Sequence, residues 1–402
     1  MAPDMCDTFE NSIGAPGIHN VNTYFNHFEL ISCWVWQMLS RDSIWKVLYS
    51  YDKRKLTIGS LGSHSALDIC DGAKDEEFRT LVVCKKGREL PYVTLKRIVD
   101  EAVILDQFDQ IMQKTVQDKL RGQNTIFVPH RAFSTYVPYD EIENGFMIPL
   151  FGSRFMLRSE ERNAQKNQYY LLEAAGIRQP KKFKSPSEID RLVIVKVQEA
   201  RRKIERAFFT AKSEKDFREK AEARIADGLI RREDLERAVI EEYVVGTYFN
   251  FNYFNSPIRG EVEFMGIDRR LQTNLHDFVA LPARQQLDIE IQLQNIEIGH
   301  MGATVRESML ESVYENGKKF VDAARREYPP GIIGPFALQG AITKDQEIVI
   351  FDVSPRVPGS PVIGTTSPYT KYAHGFQMSV GRRIALEIRE AAESDRLKEI
   401  VT

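Results

Sequence analysis

Three polar side chains occupy alternate positions at the end of an apolar stretch, in the segment IFDVSPRVPGS (350–360). Successive side chains of a β-strand point to opposite faces, so Asp352, Ser354 and Arg356 are predicted to share one side of a strand. A carboxylate and a hydroxyl can bind a hard cation such as Mg²⁺, and a guanidinium can bind phosphate through two parallel hydrogen bonds. The segment therefore predicts a metal and phosphate site at the end of a strand.

The preceding apolar segment, PFALQGAI, supplies a further polar group. If it pairs with EIVIFDVS in a hairpin centred on Asp345 and Gln346, opposed residues have numbers that sum to 691, and Gln339 faces Asp352. The Cβ atoms of such a pair lie about 5 Å apart. Gln339, Asp352 and Ser354 are therefore candidate metal ligands. A polar hairpin face with an Asp–Arg pair is the alternative interpretation of the spacing alone.

Strands alternate with helices in the first half of the chain. Between residues 52 and 155, apolar runs such as KLTIGSL (55–61) and RTLVVC (79–84) alternate with helical segments, which is the pattern of a parallel sheet covered by helices. A helix from residue 160 to Gly176 follows, and a second helix, 213–228, has a serine cap and a terminal glycine. The predicted strands around them are LVIVKV (192–197), AFFTA (207–211) and AVIEEYVVG (238–246).

Strands dominate residues 247–354, where one long helix, 306–328, interrupts them. The predicted strands include YFNFNYFN, EVEFMGIDRR and FVALPA (278–283), together with the hairpin described above. The tail, 376–400, is predicted to form a surface helix. The whole order predicts a mixed α/β and α+β protein of two or three domains, because 402 residues exceed one compact core.

Composition and charge argue against several classes of protein. A formal net charge of −2 argues against a protein that binds nucleic acid through its phosphates. The longest early apolar run, 28–39, is too short for a membrane-spanning helix. Residues 1–37 show no clear periodicity and are interpreted as an appended extension or as a segment ahead of a true start at Met38. The four cysteines, Cys6, Cys33, Cys70 and Cys84, are scattered along the chain, so neither a disulfide framework nor a zinc site is predicted. Such cysteine usage is typical of a reducing compartment, and a cytoplasmic location is therefore expected.

The spacing of the hairpin groups resembles the signature of the ATP-grasp superfamily. That superfamily has an acid or amide, then an acid thirteen residues later, then an amide two residues on, and then an arginine. The corresponding residues here are Gln339, Asp352, Ser354 and Arg356. Lys196, near the end of LVIVKV, matches the nucleotide-binding lysine of the superfamily. The hinge that receives adenine through backbone groups matches EEYVVG, with Glu241, Glu242, Tyr243 and Val244.

Longer motifs, over roughly residues 38–402, resemble the archaeal family of 5-formaminoimidazole-4-carboxamide ribonucleotide (FAICAR) synthetases. They include GSLGSHSALDICDGAKDEEF, MIPLFGSR, IEEYVVGT, MGIDRR, VRESML and PPGIIGPFALQ. The resemblance implies a ligase of purine (IMP) biosynthesis that joins formate to the amine of 5-aminoimidazole-4-carboxamide ribonucleotide (AICAR), using ATP and Mg²⁺ or Mn²⁺. It also implies small-molecule substrates, no nucleic-acid or membrane partner, and a homo-oligomer.

The same resemblance implies an ATP-grasp fold that follows an N-terminal Rossmann-like (pre-ATP-grasp) domain with a parallel sheet. The implied divisions are an N-terminal extension (1–37), a Rossmann-like substrate-binding domain (38–155), a small ATP-grasp subdomain (156–246) and a large ATP-grasp subdomain with the metal and phosphate site (247–402).

Substrate contacts are implied in the same way. A ligand-binding histidine falls at His64 in GSHS, at the carboxyl end of the first strand, where open α/β sheets bind ligands. Ser63 and Ser65 flank it at a helix start, where backbone N–H groups bind phosphate, and a simple helix cap is the alternative. Asn274 in LQTNLHD matches another substrate-binding position, with a turn as the alternative, and Ser134 lies close to the substrate-binding VPH loop.

Two arginines are candidates for the phosphoryl-transfer step, and one segment near them departs from the family pattern. Arg356 and Arg306 are predicted to steady the transferred phosphoryl group, with a surface ion pair as the alternative for Arg306. Segment 197–209 contains no glycine, although many ATP-grasp proteins have a glycine-rich loop there. Two interpretations of this segment are open: its basic side chains contact the phosphates in place of glycine backbone groups, or it does not hold ATP in the usual manner. A related ligase with other substrates and a catalytically silent nucleotide-binding protein are the alternative functions.

Overall fold

The computed structural model describes residues 41–197, 207–272, 276–289 and 297–402. Within these ranges the strands form three sheets that follow one another along the chain, which we call the parallel sheet, the small sheet and the large sheet. None of the helices in these ranges is long and apolar enough to cross a membrane. The predictions for residues 1–37, for Asn274 and for the glycine-free segment at 198–206 lie outside the described residues.

The parallel sheet forms where alternating strands and helices predicted it. Its elements are α1 (Arg41–Tyr49), β1 (Thr57–Leu61), α2 (Ala66–Asp75), β2 (Arg79–Lys85), α3 (Leu90–Thr94), β3 (Glu101–Leu105), α4 (Lys114–Gly122), β4 (Thr125–Phe127), α5 (Arg131–Tyr136) and α6 (Tyr139–Asn144). The strand order is β3-β2-β1-β4, and all pairs are parallel. β1 is completely buried, so the loop after it begins at the centre of the domain.

The small sheet is antiparallel. Its elements are α7 (Gln168–Ala174), β5 (Lys182–Phe183), β6 (Val193–Val197), β7 (Ala207–Ala211), α8 (Glu214–Ala226), α9 (Arg232–Leu235) and β8 (Val239–Glu242), and the strand order is β5-β8-β6-β7. Ser213 caps α8 as predicted, since its side chain accepts a hydrogen bond from the N–H of Asp216. The helix predicted from residue 160 begins later, at Gln168. The side chain of Asn167 caps that start by accepting two backbone N–H groups.

The large sheet is also antiparallel, with strand order β11-β10-β9-β12-β13. Its elements are β9 (Thr247–Ser256), β10 (Glu261–Gln272), α10 (His276–Val279), α11 (Ala283–Asp288), β11 (Glu297–Ala303), α12 (Leu310–Glu327), β12 (Gly334–Ile342), β13 (Ile348–Ser354), α13 (Ile363–Thr366), α14 (Pro368–His374) and α15 (Val380–Glu393). The strand predicted for FVALPA is wrong: α10 ends at Val279, and Pro282 stands at the N-cap of α11. Proline suits the start of a helix because its missing N–H is not needed there. The edge strand β11 was not predicted.

The long helix α12 packs on one face of the large sheet, close to the position predicted for it. The shared core is rich in aromatic side chains because alternate positions of β9 and β12 point towards the helix. Gly317 lies against the ring of Tyr253, and a Cβ at this glycine would come within 2.6 Å of that ring. The other central members of this core are Phe251, Phe264, Val313, Phe320, Phe336, Leu338 and Ile350.

The tail helix α15 is not the surface helix that was predicted. It packs against α2 of the parallel sheet, and its buried side chains join the core around that domain. Gly72 and Gly381 meet at the crossing, where a Cβ on either glycine would overlap the backbone of the other helix. The fully buried Arg383 pairs with Glu263 of β10 through Nε and Nη2. The charge of Arg383 is therefore compensated inside the protein and does not mark an exposed face of α15.

Candidate active site

A polar pair joins the last two strands of the large sheet. Gln339 on β12 lies directly opposite Asp352 on β13, which confirms the predicted pairing. Nε2 of Gln339 donates a hydrogen bond to Oγ of Ser354 over 3.3 Å, so the other end of the amide is the carbonyl oxygen, the atom that binds a cation. Gln339 and Ser354 are buried, and Asp352 is half-buried. The pairing brings together all three groups that were predicted to bind metal.

The turn of this hairpin differs from the prediction by one residue. Ile342 pairs with Ile348, so the residue numbers sum to 690 near the turn rather than to 691. The register shifts next to Gln339 and leaves Phe351 as an extra residue on β13, which is a β-bulge. The bulge restores the predicted register at Asp352. The predicted turn centre was therefore wrong, whereas the pairing at the site was correct.

The polar pair is the end of a row that crosses four strands. Asn250 on β9 lies opposite both Gln339 and Asp268, and Asp268 on β10 is fully buried. Because these residues oppose one another directly, they share the face of the large sheet that points away from α12. We call Asp268, Asn250, Gln339 and Asp352 the polar row. Sequence analysis found only the half on β12 and β13.

The carboxylate of Asp268 accepts four hydrogen bonds. The donors are Nδ2 of Asn250 at 2.7 Å, Nδ2 of Asn252 at 2.7 Å, Oγ of Ser360 at 2.8 Å and Nδ1 of His300 at 2.6 Å. The segment YFNFNYFN carried a signal for this cluster, since Asn250 and Asn252 alternate with aromatic residues in the way that Asp352 and Ser354 alternate with apolar ones. An amide at every second position of a buried strand marks a polar face.

Lys196 and Glu241 form a buried ion pair on neighbouring strands of the small sheet. Burial lowers the pKa of Lys196, although the Glu241 carboxylate opposes that shift. Nζ of Lys196 also donates to the hydroxyl of Tyr169 at 3.3 Å and lies 5.9 Å from the ring centroid of Phe351. The bulged Phe351 thus places this lysine beside the polar row. A phosphate arriving here would favour the charged form of the ammonium.

The predicted adenine hinge follows β8, which ends at Glu242 and is shorter than predicted. The N–H of Tyr243 already donates to a backbone carbonyl at 3.0 Å, and the carbonyl of Val244 accepts from the hydroxyl of Tyr248 at 3.0 Å. Val244 is buried against the hairpin, beside Phe351. The structure therefore brings the hinge, Lys196 and the polar row to one region, with an apolar wall between them.

His64 lies in the loop after β1, in the left-handed backbone region with φ of 50°. Its ring stacks on that of His130, with centroids 5.4 Å apart. Its Nδ1 lies 2.6 Å from Oγ of Ser65, and this hydroxyl donates to the carbonyl of Pro358 at 2.8 Å. Ser65 stands at the N-cap of α2 without making a side-chain cap, so the simple helix-cap interpretation is wrong for this residue. Ser63 is half-buried in the same loop.

His300, which is hydrogen-bonded to Asp268 of the polar row, meets His64 at Gly359. A Cβ at this glycine would lie 3.1 Å from Nε2 of His64 and 3.5 Å from Nε2 of His300. Nε2 of His300 contacts Oε1 of Glu297 at 2.7 Å. Burial alone would lower the pKa of His300, but its hydrogen bonds to the carboxylates of Asp268 and Glu297 outweigh burial and raise that pKa to about 9. His300 is therefore an imidazolium at neutral pH and faces the histidine that was predicted to bind substrate.

Arg356 is held by a carboxylate in this state. Its Nη2 and Nε donate to the two oxygens of Glu160 at 2.7 and 3.2 Å, and its side chain is nearly buried. It is close enough to His64 to disfavour the protonated imidazole. The arginine predicted to hold phosphate thus lies beside the predicted substrate histidine, with its charge balanced by Glu160.

The other predicted residues are more peripheral. Arg306 is exposed at the N-cap of a short 3-10 helix, and no acidic group in the described ranges lies within ion-pair distance of it, which disfavours the surface ion pair as an explanation. Ser134 lies on α5, one turn after His130, and donates to the carbonyl of Arg131 at 3.1 Å. Asn274 lies outside the described residues. Their assignment to the site remains a prediction.

The chain is similar to known proteins over most of its length. One family model, described as a protein of unknown function (DUF1246), matches residues 58–183, and a domain of unknown function (DUF1297) matches residues 216–402. The chain is 44% identical over 370 residues to the 5-formaminoimidazole-4-carboxamide-1-(β)-D-ribofuranosyl 5'-monophosphate synthetase of Methanothermobacter thermautotrophicus, which covers 90% of this chain and 99% of that protein.

Solved structures show the same fold. The crystal structure of an IMP biosynthesis protein, PurP, from Thermococcus kodakaraensis matches with a TM-score of 0.66 and 28% identity, over 86% of this chain and all of that one. An ADP complex of PurK, an N5-carboxyaminoimidazole ribonucleotide synthetase, matches with a TM-score of 0.54 and 13% identity, over 80% of this chain and 76% of that one, which supports the fold alone. The predicted ATP-grasp fold with its parallel-sheet domain is confirmed. The chain belongs to the family of 5-formaminoimidazole-4-carboxamide ribonucleotide synthetases.

Proposed function

We propose that this chain catalyses the ATP-dependent ligation of formate to the amine of AICAR, which yields FAICAR, ADP and phosphate. Family membership supports this activity, and so does the named activity of the relatives. The observation that carries the proposal is the polar row, which runs from the proposed phosphate end at Asp352 to Asp268. His300, bound to Asp268, connects the row to the proposed acceptor end at His64. One continuous site can therefore hold a nucleotide and an amine acceptor together.

The phosphate end fits a divalent cation. Gln339 offers an amide oxygen and Asp352 a carboxylate on rigid, directly paired strands, with Ser354 fixing the amide. Mg²⁺ prefers such oxygen ligands, usually one or two from the protein together with phosphate oxygens and water. When bound, the ion would neutralise the charge of the nucleotide phosphates. We assign Gln339, Asp352 and Ser354 to this role, and Mn²⁺ would suit the same ligands.

The protein's own contribution to phosphoryl transfer is positioning and charge. Formate is a poor acylating agent until the γ-phosphoryl group of ATP converts it to formyl phosphate, which has a good leaving group. Lys196 is assigned to the nucleotide phosphates, and Arg356 and Arg306 to the transferred phosphoryl group. For Arg356 this requires that Glu160 share the guanidinium, whose five N–H donors allow it.

The adenine and acceptor sites complete the assignment. Backbone groups of the hinge from Glu241 to Val244 are proposed to receive adenine beside the apolar wall of Phe351 and Tyr248, whose rings lie 5.5 Å apart. The AICAR monophosphate is assigned to the loop after β1, with contacts from His64, Ser63, Ser65, Ser134 and Asn274. A homo-oligomer and a cytoplasmic location are proposed from the family likeness, and light scattering coupled to size exclusion measures the first.

One assay tests the function. Purified protein is incubated with ATP, Mg²⁺, formate and AICAR, and ADP and the formylated ribonucleotide are quantified together. We expect both products in equal amounts, and neither without the metal. ADP without the formylated product would point to another acceptor and contradict the proposal. Tight ATP binding without any turnover would indicate a nucleotide-binding protein that is catalytically silent.

A further inference from the structure

The hydrogen-bond network fixes which nitrogen of His64 carries a proton. The hydroxyl of Ser65 has one hydrogen, and it donates that hydrogen to the carbonyl of Pro358 at 2.8 Å. Towards Nδ1 of His64, at 2.6 Å, the same oxygen can therefore act only as an acceptor. Nδ1 must carry the hydrogen, so Nε2 of a neutral His64 has a free lone pair. The serine and the carbonyl thus impose one tautomer.

Two neighbouring imidazoles are already committed. His130 contacts the carbonyl of Leu61 through Nε2 at 2.8 Å and accepts the N–H of Ala132 at Nδ1, and burial lowers its pKa to about 4. His300 lies between two carboxylates and is an imidazolium. Among these three rings, the described contacts leave only Nε2 of His64 as an acceptor without a protein partner. Neither His130, whose nitrogens both have partners, nor the charged His300 can therefore accept a proton in place of His64.

This free nitrogen points at a space that Gly359 keeps open. A Cβ at Gly359 would lie 3.1 Å from Nε2 of His64, closer than most side chains tolerate, and 3.5 Å from Nε2 of His300, which is an ordinary contact distance. One small polar group of a substrate can therefore contact an acceptor on one side and a cation on the other. The left-handed backbone of His64, at φ of 50°, is an uncommon conformation of the kind that collects at functional sites.

The surroundings of His64 favour its neutral form. His64 is exposed to solvent as a residue, but protein groups crowd its ring, and this desolvation is the first cause that lowers its pKa below the ordinary value. The positive charges of Arg356 and His300 act in the same direction. The basic groups that face His64 are Arg356, His130, His300 and Arg270, and they come from four different elements. Glu160 binds Arg356, Asp268 binds His300, and Glu297 binds Arg270. The lone pair on Nε2 is thus available at neutral pH.

We propose that Nε2 of His64 accepts the proton of the substrate amine as that amine attacks the formyl group, and that Ser65 is the positioning residue that sets the tautomer. This inference rests on the proposed function. In the step, the amine nitrogen forms a bond to the formyl carbon, and the bond from that carbon to the phosphate oxygen breaks. Phosphate leaves with the electron pair, and the amine proton moves to Nε2, from which it passes to phosphate or to water.

A weak base is sufficient for this transfer. The attacking nitrogen gains positive charge as the new bond forms, so its remaining protons become strongly acidic during the step. A base of low pKa then accepts one of them without being protonated in the resting enzyme. The imidazolium of His300, on the other side of the Gly359 space, is suited to the oxygen atoms that carry negative charge in the same step. Neither role requires a change in the packing of the cleft.

The test separates amine attack from the earlier phosphoryl transfer. Scrambling of oxygen-18 between the bridge and non-bridge positions of the β-phosphate of labelled ATP reports reversible formation of formyl phosphate. It is measured with formate and an AICAR analogue that lacks the amine. FAICAR formation is measured separately, with saturating AICAR. His64→Gln should lower FAICAR formation by about 10²- to 10³-fold, while isotope scrambling changes less than about threefold.

A matched control and a pH profile sharpen this comparison. His374 contacts the Glu263 carboxylate at 3.1 Å and none of the site residues that the structure describes, so His374→Gln should leave both measurements unchanged. In the wild-type protein, kcat/KM for AICAR should stay level below pH of about 6.5, where an ordinary histidine becomes charged, and fall only at more acidic pH. That acidic fall should be absent in His64→Gln.

Ser65 is tested through the tautomer itself. The carbon-13 shift of Cδ2 in His64 distinguishes the Nδ1–H ring from the Nε2–H ring, and this NMR measurement does not depend on activity. Ser65→Ala should populate both forms and lower FAICAR formation by about tenfold, and Ser65→Thr, which keeps the hydroxyl, should restore both towards wild type.

The outcomes divide cleanly. If His64→Gln raises KM for AICAR but leaves kcat unchanged, His64 only binds the substrate and the inference is wrong. An Nε2–H tautomer in the wild-type protein would also overturn it. If the wild-type protein scrambles label but forms no FAICAR, or shows neither reaction, the proposed function fails first and the inference fails with it. That result is recognised without any variant.

Discussion

The two faces of the large sheet have opposite character although the same strands build them. The face towards α12 holds aromatic and aliphatic side chains, such as Phe251 and Phe336, that are almost completely buried. The other face carries the polar row, and Asn250, Asp268 and Gln339 are buried there almost as fully. Burial therefore does not distinguish the two faces, whereas the chemistry of the buried groups does.

This difference shows how the sheet serves two purposes. Apolar burial stabilises the fold without directing any atom, since the hydrophobic effect has no orientation. Buried amides and carboxylates must be matched to donors and acceptors, so each of them is held in one place. The α12 face thus supplies stability, and the other face supplies fixed ligands.

The largest expected effect is on catalysis and comes from Asp352→Asn. The variant keeps the size of the side chain but removes the carboxylate charge that is assigned to the metal. We expect turnover to fall by about 10³-fold, equivalent to about 4 kcal/mol of barrier, with little change in the urea midpoint. Asp345→Asn, at the exposed turn of the same hairpin, is the control and should retain activity. Equal activity of Asp352→Asn and wild type would rule out the metal role.

The opposite face is tested with Phe320→Ala on α12. Phe320 is fully buried and stacks on Phe336 at 5.5 Å between ring centroids, so its removal leaves a cavity. We expect the free energy of unfolding to fall by about 3–4 kcal/mol, measured in urea, while the folded fraction keeps its affinity for ATP. Lys319→Ala, one residue earlier and exposed, should cost less than about 0.5 kcal/mol. A loss of ATP affinity at full folding would mean that the two faces are not independent.

The sequence predicted the fold where each element contains its own signal. Alternating strands and helices predicted the parallel sheet, and the serine of α8 predicted its start. Elements that depend on distant partners were predicted poorly. The apolar positions of α15 recur at helical spacing, but its partner α2 lies some 300 residues away. The close approach of Gly72 and Gly381 that allows this packing therefore has no local signal in the sequence.

The site divides in the same way. Gln339 and Asp352 were found because both lie on one hairpin, where register follows from counting, and a bulge corrected an error at the turn. Asn250 and Asp268 belong to other strands, so their place in the row depends on sheet order, which the sequence does not fix. His300 was missed because β11 was missed. The Ser65–Pro358 contact joins residues 293 positions apart and has no local signal.

An intermediate effect is expected from Asp268→Asn, which tests the polar row. Four hydrogen bonds converge on this carboxylate, two on each oxygen, so an amide in its place turns its nitrogen towards two donors in either orientation. We expect a loss of about 1–3 kcal/mol in the free energy of unfolding. The loss should depend on pH, because Asp268 also raises the pKa of His300. Urea unfolding at several pH values measures both effects.

The sign of that pH dependence follows from His300. Its pKa is about 9 in the folded protein and about 6.5 in an unfolded chain, so its stabilising contribution is fully present below pH of about 6.5. The contribution, at most about 3 kcal/mol, is lost as pH rises through 9. Asp268→Asn should flatten this decline. An unchanged slope would show that Glu297, or another carboxylate, holds the proton on His300.

The smallest effects come from two adjacent residues of β13 that face opposite ways. Ser354→Ala removes the oxygen that accepts from Nε2 of Gln339, so we expect a stability loss of about 1 kcal/mol and a severalfold rise in the Mg²⁺ concentration at half-maximal activity. Val353→Ala, in the core against α12, should cost about 1–3 kcal/mol and leave the Mg²⁺ midpoint unchanged. A shifted midpoint in Val353→Ala, or an unshifted one in Ser354→Ala, would show that ligand orientation does not depend on the polar face alone.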